Sequence, residues 1–180
     1  MSDRDTLLEG LTPLEAQAFY QNGSLHPEQA IQLAMAWMKA GETHVDVAVL
    51  ATSEAVHWDD LKRDFRTALQ AFGIAEFSDR TAALLRLQRI LSWVEANPSR
   101  LKDLGPVLIE HCAGIFPPPD GSGSTSRLHR NFWRLHQASE DYYDLSFRTD
   151  RTDEALQALT STALETIADM MDSIAGELPD

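Results

Sequence analysis

Apolar residues recur at spacings of three and four along most of the chain, which is the periodicity of an α-helix with one buried face. The clearest stripe consists of Leu61, Phe65, Leu69 and Phe72. Residues 45–51, VDVAVLA, hold enough valine to allow a strand, but no second strand candidate is available to pair with them. The spacing therefore predicts an all-α fold, a single compact bundle of about seven or eight helices.

Capping and turn residues mark where the predicted helices begin and end. The predicted bounds are Thr12–Pro13 to Asn22–Gly23, Pro27 to Gly41, Thr43 or His44 to about His57, Asp59 or Asp60 to Gly73, Ser78 or Asp79 to Asn97, 101–112, 126–147, and about 150–175. The helix that begins at Pro27 is apolar nearly all round, so it is predicted to be central. Gly105-Pro106 is predicted to interrupt the helical segment in 101–112, because proline lacks an N–H and clashes with the preceding turn.

A stretch rich in proline, glycine and serine, residues 114–126, separates two parts of the chain. We predict an N-terminal helical body in residues 1–113, this connecting loop, and two long C-terminal helices in residues 127–180. Two helices cannot easily bury a core by themselves. The two C-terminal helices are therefore predicted to pack on the N-terminal body, so that the chain forms one domain overall.

Charge and composition exclude several classes of protein. The net charge is −13, and residues 152–180 hold seven acidic side chains and no lysine or arginine. General nucleic-acid binding is disfavoured, because neutralising phosphates requires a basic surface. No apolar run approaches the length of a membrane span, and the N-terminus has no secretory signal pattern. With one cysteine and no intramolecular disulfide, a cytoplasmic location is expected.

Candidate catalytic and metal-binding residues are few. Cys112 follows Glu110 and His111, but adjacent residues on a helix point about 100° apart and do not form a catalytic dyad. A buried structural cysteine is the favoured interpretation. The weak metal candidates lie four residues apart on one helix face, where a solvated polar face is the favoured interpretation; they are His136, Glu140 and Asp144. No catalytic residue and no cofactor is assigned, and a non-enzymatic protein is expected.

The loop and the helix that follows it suggest an anion site. Glycines and serines before a helix leave backbone N–H groups free at its positive end. Three arginines spaced three and four residues apart share a face of that helix: Arg127, Arg130 and Arg134. The lysine-containing phosphate-loop pattern and a preceding strand are both missing, which favours a plain connector.

Aromatic residues cluster on the same helix, and two of them, Trp133 and Tyr143, are predicted to be exposed. Exposed aromatics beside arginines are typical of binding hot spots. The predicted binding residues are Arg127, Arg130, Trp133, Arg134 and Tyr143.

The combined pattern favours a non-enzymatic helical protein that binds a partner protein, as an inhibitor, an immunity-type protein or a regulatory module. The acidic charge makes a basic partner one option. The alternative is a metal- or anion-binding enzyme or ligand protein with its site on the helix 127–147. Homo-oligomerisation is left open by the sequence.

Overall fold

The computed structural model describes residues 6–112, 114–117, 126–148 and 152–178. Within these ranges all regular structure is helical, and the predicted all-α class and number of helices are confirmed. The helices are α1 (Pro13–Gln21), α2 (Pro27–Lys39), α3 (Val45–Ala51), α4 (Trp58–Ala71), α5 (Asp79–Ala96), α6 (Leu101–Cys112), α7 (Arg127–Phe147) and α8 (Asp153–Ala175). In the described part of the chain, no helix combines the length and the apolar character needed to cross a membrane.

The chain forms two compact units, Met1–Ala82 and Ala83–Asp180, with the boundary inside α5. In the first unit, α2 packs on α3, α3 packs on α4, and α1 contacts α4. In the second unit, α6 packs on α7 and α7 packs on α8. Of the two long C-terminal helices, α7 therefore packs on α6, a helix of the predicted N-terminal body, and α8 packs on α7. The division of the chain at 114–126 stays a prediction.

The helix that begins at Pro27 was predicted to be central because it is apolar nearly all round, but it is not buried on all sides. Helix α2 buries one face and exposes Met35 and Met38 on another. Helix α5 is instead apolar and buried on most sides; its buried apolar residues are Ala82, Ala83, Leu84, Leu85, Leu87, Ile90, Leu91, Trp93 and Val94. The alanines and methionines of α2 suggested burial all round, but only the stripe that includes Leu33 and Trp37 meets neighbouring helices.

Two predicted boundaries around α3 and α4 also need correction. Helix α3 ends at Ala51 rather than near His57. The hydroxyl of Thr52 donates to the carbonyls of Ala48 and Val49 (3.0 and 3.2 Å), which occupies acceptors of the last turn. Helix α4 begins at Trp58, so the two acidic residues that follow lie in its first turn, where negative charge favours a helix N-terminus.

Helix α6 runs without a break through Gly105-Pro106, so the predicted interruption is wrong. Gly105 has no side chain, and α7 approaches closely there: a Cβ on Gly105 would lie 3.2 Å from Ser139 Oγ. The Ser139 hydroxyl accepts from the Gly105 N–H and donates to the Leu101 carbonyl, both at 2.7 Å. In a regular helix this N–H and this carbonyl bond each other. The serine therefore supports the turn that Pro106 weakens.

Candidate functional site

Helices α7 and α8 form an antiparallel hairpin. Arg127, in the first turn of α7, pairs with Asp169 in the C-terminal half of α8 (Nη2–Oδ2, 2.7 Å). The C-terminal end of α7 and the N-terminal end of α8 therefore lie together. At the opposite end, the Ser126 hydroxyl caps α7 by accepting from the His129 N–H (3.1 Å). One of the backbone donors that an anion would need at this N-terminus is already used.

The hairpin is buried over only part of its length. Helix α6 has 12 residues and α7 has 21, which correspond to about 18 and 31 Å. Leu101 begins α6 and lies beside Ser139, the last buried residue of α7, while the first buried residue of α8 is Ala163. Between Ser139 and Ala163 no described residue is buried. We call this part of the hairpin, residues 140–148 and 152–162, the hairpin tip.

The apolar stripes of both helices continue into the hairpin tip although their burial does not. On α7, Tyr142 and Leu145 extend the spacing of the buried stripe, and on α8, Leu156 and Leu159 do the same. All four side chains are half-buried, although their helical spacing by itself predicts an inner, buried face. Helices that carry an apolar stripe past the end of their neighbour leave an apolar surface that water contacts.

Two aromatic side chains make this surface prominent. Tyr143 is 51% exposed, as the sequence predicted, and Phe147 is 71% exposed. Their ring centroids lie 4.8 Å apart, so the two rings form one apolar patch at the end of α7. Phe147 was not among the predicted binding residues. Its spacing along α7 does not show whether the neighbouring helices extend far enough to cover it.

Most charged residues of the hairpin tip are acidic. Five exposed carboxylates belong to the described residues of the hairpin tip: Glu140, Asp141, Asp144, Asp153 and Glu154. Arg148 is the only basic residue in the same ranges, which gives the tip a net charge of −4. The tip therefore combines exposed aromatic rings with a net acidic charge, and we call its five carboxylates the acidic rim.

The predicted arginine surface lies at the other end of α7. Arg127, Arg130 and Arg134 are all exposed, and Arg127 pairs with Asp169 of the same chain. Trp133, which was predicted to be exposed, is half-buried, and its indole N–H donates to the Pro117 carbonyl (3.1 Å). Of the loop and arginine segment that suggested an anion site, residues 118–125 lie outside the described residues.

The metal candidates do not form a ligand cluster. His136 Nδ1 and Glu140 Oε2 are 3.9 Å apart, and Asp144 is exposed one turn further along. Across residues 6–112, 114–117, 126–148 and 152–178, no group of three or more histidine, cysteine, aspartate or glutamate side chains is placed to hold a metal ion.

Cys112 is buried at the end of α6, as predicted. Burial raises the pKa of its thiol from the ordinary value of 9.0 to about 12, although the nearby charge of Arg86 acts to lower the pKa. The buried Arg86 donates from Nε to the His111 carbonyl (2.9 Å) and so stabilises the last turn of α6. A thiol with this pKa stays protonated at neutral pH and is a poor nucleophile.

The first unit has a surface cavity of about 530 Å³ on α1 and α4. It is lined by Tyr20, Gln21, Gly23, Trp58, Asp59, Lys62, Arg66 and Glu76. Arg66 and Glu76 pair across it at 2.6 Å, and the indole N–H of Trp58 donates to the Leu25 carbonyl. Three polar groups that line this cavity, those of Trp58, Arg66 and Glu76, are thus engaged within the unit.

Comparison with protein-family models, curated proteins and solved structures gave no match to this chain.

Proposed function

We propose that this protein is a non-enzymatic module that binds a partner protein through the hairpin tip, as an inhibitor, an immunity-type protein or a regulator. The observation that carries the proposal is the exposed pair Tyr143 and Phe147, at an end of the hairpin where apolar stripes continue without cover. A cytoplasmic location is part of the proposal and is supported by the single cysteine.

The hairpin tip has the composition of a protein-binding surface. Aromatic residues supply a large apolar contact area with few rotatable bonds, and they dominate the energetics of many interfaces. Large aromatic side chains left in water are also costly to keep without a use, because they promote non-specific association. The exposed carboxylates of the tip favour the solubility of the free protein and restrict which partners fit.

The N-terminal half of α7, which carries the three arginines, has less support as a binding surface than the hairpin tip. Arg127 is engaged by Asp169, and the Trp133 indole is held by the Pro117 carbonyl. A metal-binding function also lacks support, since the candidate ligands of α7 bring together only two groups, His136 and Glu140. We therefore propose the hairpin tip as the binding surface. Of the five predicted binding residues, Tyr143 is the one that belongs to it.

Affinity capture from an extract of the source organism tests this function. Baits are the wild-type chain, the tip variant Tyr143→Ser/Phe147→Ser, and the control variant Met35→Ser/Met38→Ser, which removes two exposed apolar side chains from α2. We expect a partner that the wild type and the control retain and that the tip variant retains about 30-fold less, because hot-spot aromatics contribute 2 kcal/mol or more. Mass spectrometry quantifies the retained proteins.

A fourth bait, Arg130→Ala/Trp133→Ala/Arg134→Ala, separates the two ends of α7. Under the proposal this triple variant retains the partner. A partner that survives the tip variant and is lost from the triple variant would place the binding surface on the arginine half and overturn the assignment.

A further inference from the structure

We infer that the segment of the partner seated on the hairpin tip is an amphipathic helix whose apolar face is flanked by lysine and arginine residues. The inference rests on the proposed function, since it specifies the chemistry of the partner at the same surface. Shape and charge support it separately.

The shape of the tip suits a helix. Two antiparallel helices lie side by side. Helix α7 presents the half-buried Tyr142 and Leu145 and the exposed pair Tyr143 and Phe147, and α8 presents the half-buried Leu156 and Leu159. This is the surface that a third helix covers when it packs on a helical hairpin, as α6 covers the earlier part of α7. The helical residues of the tip, 140–147 and 153–162, span about 12 to 15 Å, enough for two to three turns of a partner helix.

An extended partner segment fits less well. Strand addition needs a sheet edge with unpaired backbone groups, and the helices at the tip use their backbone groups internally. At the C-terminal end of α7 the Arg148 N–H donates to the Leu145 carbonyl (3.2 Å), and at the start of α8 the Thr152 hydroxyl accepts from the Ala155 N–H (3.2 Å). The recognition at this surface is therefore made by side chains.

The charge of the tip selects a basic partner and disfavours a second copy of this chain. On α7, Glu140 lies one turn from Tyr143 and Asp144 lies one turn from Phe147. Asp141, Asp153 and Glu154 are further exposed carboxylates of the tip. Two copies meeting through this surface would place carboxylates against carboxylates, which opposes association. Lysines or arginines flanking an apolar helix face would instead approach the rim favourably, with an attraction that salt weakens.

Two synthetic helices serve as probes. Each is about 18 residues, or roughly five turns, and both have the same leucine face; one is flanked by lysines and the other by glutamates. Titration calorimetry with the full chain should show binding of the lysine-flanked helix at low salt and no measurable binding of the glutamate-flanked helix. The tip variant Tyr143→Ser/Phe147→Ser should weaken the binding of the lysine-flanked helix about 30-fold.

A matched pair of charge reversals isolates the rim from the net charge. Glu140→Lys/Asp144→Lys changes the rim, and Glu165→Lys/Asp172→Lys makes the same change in net charge on exposed positions of α8 outside the tip. We expect the first pair to weaken binding of the lysine-flanked helix at least tenfold, about 1.4 kcal/mol, and the second pair to weaken it less than threefold.

Three results would overturn the inference: failure of the lysine-flanked helix to bind, equal binding of the two probes, or equal effects of the two charge reversals. A dimer in sedimentation equilibrium that Tyr143→Ser/Phe147→Ser dissociates would also overturn it, because the occupant would then be a second copy. None of these results contradicts the proposed function itself. The proposed function is contradicted if the tip variant retains the captured partner as well as the wild type does.

Discussion

Replacing Phe132 by alanine is expected to lower the free energy of unfolding by about 3–5 kcal/mol, the usual cost of truncating a buried phenylalanine. Phe132 is fully buried in α7, and its ring stacks on that of Phe116, with centroids 4.7 Å apart and planes 20° apart. Truncation would leave a cavity beside Phe116 and remove the contact between α7 and the segment that follows α6. Urea denaturation followed by circular dichroism measures the change.

Phe147→Ala is the matched control, because it makes the same substitution on the same helix at an exposed site. The Phe147 side chain is 71% exposed, so its truncation should change the free energy of unfolding by less than about 0.5 kcal/mol. A loss above about 2 kcal/mol would show that Phe147 is needed for folding, and its exposure would then no longer indicate a binding role.

The native chain should react with iodoacetamide at Cys112 about a thousandfold more slowly than the unfolded chain at pH 8. The thiolate is the reactive form, and a pKa raised from 9.0 to about 12 lowers its fraction by about three orders of magnitude. Mass spectrometry of labelled protein, with and without denaturant, gives the two rates. Native labelling within about tenfold of the denatured rate would contradict a buried structural role.

The same raised pKa fixes the sign of a pH effect. Below about pH 9 the Cys112 thiol is protonated in both states and does not affect stability. Between about pH 9 and 12 the unfolded chain loses a proton that the folded chain keeps, so this thiol destabilises the fold increasingly as the pH rises. Cys112→Ala should reduce the alkaline loss of stability, whereas it should leave the pH dependence near neutrality unchanged.

Local sequence signals were sufficient for the parts of the fold that local chemistry decides. Thr12 and Pro13 predicted the start of α1, where the Thr12 hydroxyl accepts from the Glu15 N–H. Asn97 was predicted to end α5, and its side chain accepts from the Ser99 N–H in the turn before α6. These groups lie within a few residues of one another, so the sequence carries the whole interaction.

Features that depend on residues distant in the chain were not predicted from the sequence. The Gly105-Pro106 pair by itself indicates a break, whereas the Ser139 hydroxyl that accepts from the Gly105 N–H lies 34 residues later in the chain. The exposure of the hairpin tip was not predicted for a related reason. Tyr142 and Leu156 have core spacing, but whether they are buried depends on where α6 ends relative to α7, which periodicity does not record. Tyr143 was predicted to be exposed because it lies off the apolar stripe of α7.

The two ends of α7 now have different interpretations. At the arginine end, Arg127 forms an ion pair with Asp169, and the Trp133 indole donates a hydrogen bond to the Pro117 carbonyl. The opposite end presents Tyr143 and Phe147 within an acidic rim. The predicted binding helix is retained in the proposal, and the proposed surface moves about four turns along it, from the arginines to the aromatic pair.

Amide hydrogen exchange of the full chain, alone and saturated with the lysine-flanked helix, tests the central claim most directly. Exchange reports where backbone groups become protected by a bound partner. We predict that slowing is concentrated in residues 140–148 and 152–162. Slowing confined to residues 126–134, or to the exposed methionine face of α2, would contradict the assignment of the hairpin tip as the docking surface.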